Sequence, residues 1–189
     1  HMMDSHPDCG SCAPKLHSES DREMFEYAGA AGGYIDRYGY PFCRGRILNR
    51  VEKDTGQYDK PADVFWVSGA CLMIRAELYR KLSGLDERFF AHMEEIDLCW
   101  RAQIAGYRVS VVPASTVYHV GGGSLPQGSP KKLFLNYRNN LLMLKNNLAV
   151  TVSDSRRADR IITTRMLMDG MSAAIYLLTF RFAYFKAVV

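Results

Sequence analysis

Apolar residues recur along this chain with spacings that switch between strand-like and helix-like. Residues 63–74 are densely apolar: Val64, Phe65, Trp66 and Val67, then Cys71, Leu72, Met73 and Ile74. They predict a buried strand, interrupted at Gly69, where a bulge or a close approach by backbone or ligand is expected. Residues 75–82 put Leu78, Tyr79 and Leu82 on one helical face, with Gly84 as a C-cap. A second helix is predicted over 93–105, with Ile96, Cys99, Trp100 and Ile104 turned inward and Gly106 ending it. Residues 108–112 predict a strand that stops at Pro113, and 116–120 a further extended piece. Over 130–147 a longer helix is expected, with Leu133, Phe134, Tyr137, Leu141, Leu144 and Leu148 roughly in register. Beyond it, 152–160 is polar and basic, and 161–189 is rich in Met, Leu, Ile, Phe and Tyr. Arg165, Asp169, Arg181 and Lys186 interrupt that last run, and its longest uncharged stretch, 170–180, is too short to span a bilayer. It predicts an amphipathic helix lying on a membrane surface or packed against protein.

Charge is concentrated in one stretch, 84–101, where acids and bases flank Phe89 and Phe90. Glu94, Glu95 and Asp97 fall in the first turn of the predicted helix, where unpaired N–H groups favour acids. Asp97 and Arg101 are spaced to pair along its surface. An ordinary acidic first turn explains this pattern. So does a general base at the rim of a cleft, with the Phe pair as an apolar wall. His119 sits between an apolar strand and Gly121-Gly122-Gly123, which let a backbone bend tightly. The Gly- and Tyr-rich segment 24–46 predicts a long loop whose aromatic rings suit sugar faces and whose Arg44 and Arg46 suit phosphate.

Composition narrows the field. The chain has 189 residues, 48% hydrophobic and 23% charged, which is ordinary for a globular domain with a sizeable core. A net charge of +4 with no dense basic patch excludes a nucleic-acid partner and leaves room for an anionic substrate or membrane surface. Five scattered cysteines read as free thiols. Cys9-Gly-Ser-Cys12 is half a zinc site without a second half, and Pro14 argues against the helix that a redox motif needs.

Five pieces in order resemble the catalytic domain of family 2 glycosyltransferases of the GT-A fold. They are Ser68-Gly69-Ala70, the Gly84–Phe90 stretch GLDERFF, the Glu94–Leu98 stretch EEIDL, Gly106-Tyr107 and His119. The upstream FEYAGAAGGYIDRYGYPFCRGRI and downstream NYRNNLLMLKNN resemble a bacterial branch. The resemblance implies an α/β fold, a partial GT-A domain with a mixed sheet and flanking helices. That domain would cover 3–148, with 149–189 as an amphipathic helical extension. It further implies inverting transfer from a nucleotide-diphosphate-sugar donor to a glycan or lipid-linked acceptor hydroxyl, in cell-surface polysaccharide synthesis. Glu95 occupies the family's catalytic aspartate position, with Glu94 as competitor. Ser68, Gly69, Ala70 and Asp97 become donor- or acceptor-binding candidates, and Arg138 a candidate for the diphosphate leaving group. His119 would ligate a divalent metal, Mg or Mn, held mainly by an Asp-x-Asp motif. No Asp-x-Asp is present, so the chain is expected to lack the nucleotide-binding half and to be inactive alone. A cytoplasmic location is expected, at the inner face of the membrane where lipid-linked acceptors sit, with room for a homo-oligomer. The competing expectation is a non-catalytic carbohydrate-binding or interaction module on the same fold.

Overall fold

The computed structural model describes residues 2–121 and 128–189. Gly122, Gly123 and most of the loop expected over 124–130 lie outside them. The chain forms two compact units. The first holds His1–Asp36, Pro41–Asp86 and Glu95–Gly121. The second holds Arg37–Tyr40, Glu87–Glu94 and the described part of Gly122–Val189.

In the first unit, α1 (Met2–Ser5) leads into β1 (Cys9–Ser18), followed by the short strands β2 (Gly33–Ile35), β3 (Pro41–Cys43), β4 (Arg46–Ile47), β5 (Arg50–Val51), β6 (Ala62–Asp63) and β7 (Met73–Ile74). Helices α2 (Ala76–Lys81) and α3 (Glu94–Ile104) precede β8 (Arg108–His119). The main sheet has the order β6-β8-β1-β7. β1 and β8 run parallel, while β7 and β6 flank them antiparallel. This is the mixed sheet with helices that the α/β expectation describes. β2–β3 and β4–β5 are two small hairpins.

Two predicted strands come out differently. β8 does not stop at Pro113 but continues to His119, because the register slips between the pairs Pro14↔Val112 and Lys15↔Thr116. Such a bulge removes the ladder position at which a proline's missing N–H would matter. The apolar run 63–74 is buried at Val64, Trp66 and Val67 but is not one strand. Its backbone finds other partners: Gly33 N–H donates to Trp66 O at 2.9 Å, and the Gln103 amide to Phe65 O at 2.7 Å. Gly33 is required there, because a Cβ on it would meet the Trp66 ring.

The second unit contains α4 (Pro130–Val152), α5 (Ser155–Leu178) and α6 (Phe182–Val188), which pack on one another. Ser129 caps α4 by accepting from Lys132 N–H, and Asp154 caps α5 by accepting from Arg156 and Arg157 N–H. Within this unit α4 groups with the helices that follow it. The inward face of α4 keeps Leu144 and Leu148 of the expected stripe but not Leu133, Phe134, Tyr137 or Leu141. Leu135, Asn139, Asn140, Met143, Leu144, Asn147 and Leu148 are buried, so three asparagines share the core side.

Candidate functional site

Ser68 N-caps a short 3-10 turn, Gly69–Cys71, its hydroxyl accepting from Ala70 N–H at 3.3 Å. Opposite that turn stands the start of α3. A Cβ built on Gly69 would lie 3.5 Å from Glu95 Cβ and 3.7 Å from Glu95 Cγ. The fold thus brings together two pieces separated by 26 positions, the Ser68-Gly69-Ala70 turn and Glu95. At Gly69 the turn contributes bare backbone beside the Glu95 stem. Glu94 and Glu95 are both half-buried, and they lie where the free N–H groups of a helix start favour negative charge.

Asp97 makes the pair with Arg101 that their spacing suggested, but inside the protein and not along its surface. Its side chain is fully enclosed and accepts from Arg101 Nε at 2.7 Å. Arg101 then donates to Leu82 O at 2.6 Å and Gly84 O at 2.9 Å. With 0% exposure, Asp97 orients the arginine that ties α3 to the end of α2.

Before Glu94 the backbone is unusual. Phe90, His92 and Met93 have φ of 63°, 70° and 73°, rare for residues with a Cβ. The segment is held by α4. Asn139 Nδ2 donates to Phe89 O, Ala91 O and His92 O at 2.9, 2.7 and 2.8 Å. Arg138 donates to Arg88 O, Phe89 O and Asn139 Oδ1. The Arg138 guanidinium, read from the sequence as a phosphate contact, is here bonded to main-chain carbonyls. Of the expected aromatic wall, Phe89 is fully buried while Phe90 is exposed, with Lys131 over its ring. Among the described residues, His92 Nε2 and Glu94 Oε2 are buried without a hydrogen-bond partner. Burial, and then the Lys132 ammonium, hold the His92 imidazole below its ordinary pKa.

His119 ends β8 with Nδ1 3.7 Å from Glu26 Oε1. Glu26 is buried, and a Cβ on Gly121 would lie 2.5 Å from its Oε1, so a side chain at 121 would displace the carboxylate. Glu26 escaped the sequence reading because it sits in a turn with no chemical motif around it. The described residues contain no group of three or more His, Cys, Asp or Glu able to hold a metal ion. His119 and Glu26 supply two donors, which falls short of a divalent cation's shell, so these residues do not hold one alone.

The remaining candidates are structural. Cys9 and Cys12 are buried in β1. Burial, with Cys9 alongside, pushes the Cys12 thiol up; burial pushes Cys99 up to about 12. Both therefore stay protonated and unreactive. Arg44 stacks on Tyr58, and Arg46 on Tyr27, in place of the phosphate contacts expected of them.

The profile of the family described as Glycosyl transferase family group 2 matches residues 31–128. The chain belongs to this family. Among similar proteins, an N-acetylglucosaminyl-diphospho-decaprenol L-rhamnosyltransferase of Mycobacterium tuberculosis, found in strains CDC 1551 / Oshkosh and ATCC 25618 / H37Rv, is 32% identical over 81 residues. That alignment covers 43% of this chain and 26% of the relative. Rhamnosyltransferase WbbL of Escherichia coli K12 is 25% identical over 104 residues, covering 55% of this chain and 39% of the relative. The chain therefore spans well under half the length of these relatives. The Ser68 turn, the α3 carboxylates and His119 all lie inside the family match, whereas β1 and α4–α6 lie outside it.

Proposed function

We propose that this glycosyltransferase-family chain carries the acceptor-activating part of an inverting sugar transfer. The donor is a nucleotide-diphosphate sugar and the acceptor a hydroxyl on a lipid-linked glycan. The observation that carries this reading is Glu95 at the head of α3, with its stem against the Gly69 backbone. Glu95 takes the proton from the acceptor hydroxyl as that oxygen attacks the anomeric carbon. The bond from that carbon to the diphosphate breaks on the opposite face, and the electron pair leaves on the diphosphate. The Ser68-Gly69-Ala70 turn bounds the space in which the acceptor is positioned. A divalent cation would supply electrostatic relief for the leaving diphosphate. His119 would be one of its ligands, with the others coming from outside the described residues. The lipid-linked acceptor is supported by the decaprenol-linked substrate that the mycobacterial relative's name records.

The test is Glu95→Gln in the active enzyme, with nucleoside diphosphate release as readout. Turnover is expected to fall at least about a thousandfold while donor binding changes less than about threefold, as for loss of a general base. Retained turnover overturns the assignment, and a comparable loss only in Glu94→Gln transfers the role to its neighbour.

A further inference from the structure

α5 is built inside-out. The side chains it buries include the ion pair Arg165–Asp169, Nε to Oδ1 at 2.9 Å, while Leu167, Met171, Ile175 and Leu178 are 60–77% exposed. At roughly 100° per residue these four lie on one stripe, opposite Arg165 and Asp169. Extending the stripe towards the helix start meets Arg160, Arg157 and Arg156, all exposed. Asp159 falls on the flank and Asp154 is occupied in capping the helix. The stripe is therefore apolar for its last three turns and cationic for its first two, with no carboxylate on it. A recess of about 280 Å³ opens at the cationic end, lined by Tyr38, Arg157, Arg160, Ile161 and Thr164. Past the other end, Phe180 and Phe182 are also exposed, and Arg181 stacks on Tyr184 at 4.1 Å.

We propose that this stripe is a membrane-docking surface, on which α5 lies in the headgroup plane of an anionic phospholipid bilayer with lipid phosphate in the arginine-lined recess. By length and overall composition the 24-residue helix passes for a membrane span, although no uncharged stretch of it is long enough. Its buried ion pair and its arginine-rich first turns on the apolar side instead fit a helix lying along the interface. Charge selects the occupant. A second copy of this chain docked on the same stripe would bring three guanidinium groups to a surface with no carboxylate to meet them. Lipid phosphates supply both the counter-charge and the bidentate geometry that arginine favours. Its biological sense rests on the proposed lipid-linked acceptor, which such docking would bring to the same plane.

The protein is mixed with vesicles of phosphatidylcholine alone, or with about 30% phosphatidylglycerol, and bound protein is measured by co-sedimentation. Partitioning onto the anionic vesicles is expected to exceed that onto neutral ones by about tenfold or more, and to weaken in high salt. Leu167→Glu with Met171→Glu, and separately Arg157→Glu with Arg160→Glu, are each expected to reduce it about tenfold with an unchanged melting midpoint. No preference for anionic vesicles overturns the proposal, as does binding unaffected by either pair. So does a dimer in solution that these substitutions dissociate without any vesicle binding. Donor and acceptor are absent from the assay. Failure to bind alongside a turnover loss in Glu95→Gln of the active enzyme therefore removes the surface alone, and binding alongside turnover that survives Glu95→Gln removes the enzymatic reading alone.

Discussion

Asn139 shows how much one side chain can organise. It is fully buried on α4, and its amide nitrogen reaches three carbonyls of the segment before Glu94, those of Phe89, Ala91 and His92. That segment holds left-handed φ at three residues with side chains, which persists only where the surroundings over-determine it. Asn139→Ala strands buried carbonyl groups and is expected to cost about 2–3 kcal/mol in urea unfolding with little change in m. Asn139→Asp keeps the volume but points carboxylate oxygens at carbonyl oxygens, so a larger loss is expected. A neutral effect of either change would show that the segment is held by other contacts. Two asparagines in succession in a helical pattern carry no sequence signal of this kind. Their role depends on a loop about 50 residues earlier in the chain.

At the scale of elements, α5 was legible as a helix, but the place of its charged residues was not. Arg165 and Asp169 interrupt an apolar run, and periodicity alone leaves their direction open. The fold encloses them. Arg165 stacks on Tyr40 at 3.5 Å and also donates to Asn140 Oδ1 and Asp169, while Tyr40 donates to Asp169 at 2.9 Å. Burial and the Asp169 carboxylate push the Tyr40 phenol up to about 12, so it remains a donor across the working range. Breaking the pair with Asp169→Leu leaves a buried guanidinium without its counter-ion and is expected to cost about 3–5 kcal/mol. The double change Arg165→Met with Asp169→Leu is expected to return within about 2 kcal/mol of wild type, because neither charge is then left alone. Denaturant unfolding of the three proteins checks both. Equal losses in the single and double variants would show that the network, and not the pairing, supplies the stability.

Across the whole molecule, stability should depend on pH through a cluster that secures the central strand. Lys15 Nζ on β1 reaches Asp54 at 2.5 Å and Asp59 at 2.6 Å, and His17 reaches Asp54 at 2.9 Å. Burial raises the Asp54 carboxyl, but hydrogen bonds from Lys15, Gly56 N–H and His17 outweigh it and leave the group below 3.8. Burial lowers Lys15, but Asp54 and Asp59 outweigh it and leave the group above 10.5. The lowered acid contributes stability above pH 3.8 that is lost as pH falls through its folded value. The raised base contributes stability below pH 10.5 that is lost as pH rises through its folded value. The melting midpoint of wild type is therefore expected to exceed that of Lys15→Met by a constant margin between these limits, shrinking at both ends. A margin independent of pH would mean that Lys15 acts through packing alone. The sequence by itself determined the local rhythm: the helices α2, α3 and α4, the stop at Gly106, and the motif series that names the family. Those features depend on neighbours a few residues apart, where backbone sterics and periodicity act directly. Only the tertiary structure decided that Gly69 lies against Glu95, that Asp97 is enclosed and Arg138 holds carbonyls, and that α5 turns its charges inward. Each of these is a pairing across tens of residues. A polar side chain's preference for water or for a buried partner is settled only by whether the fold delivers that partner.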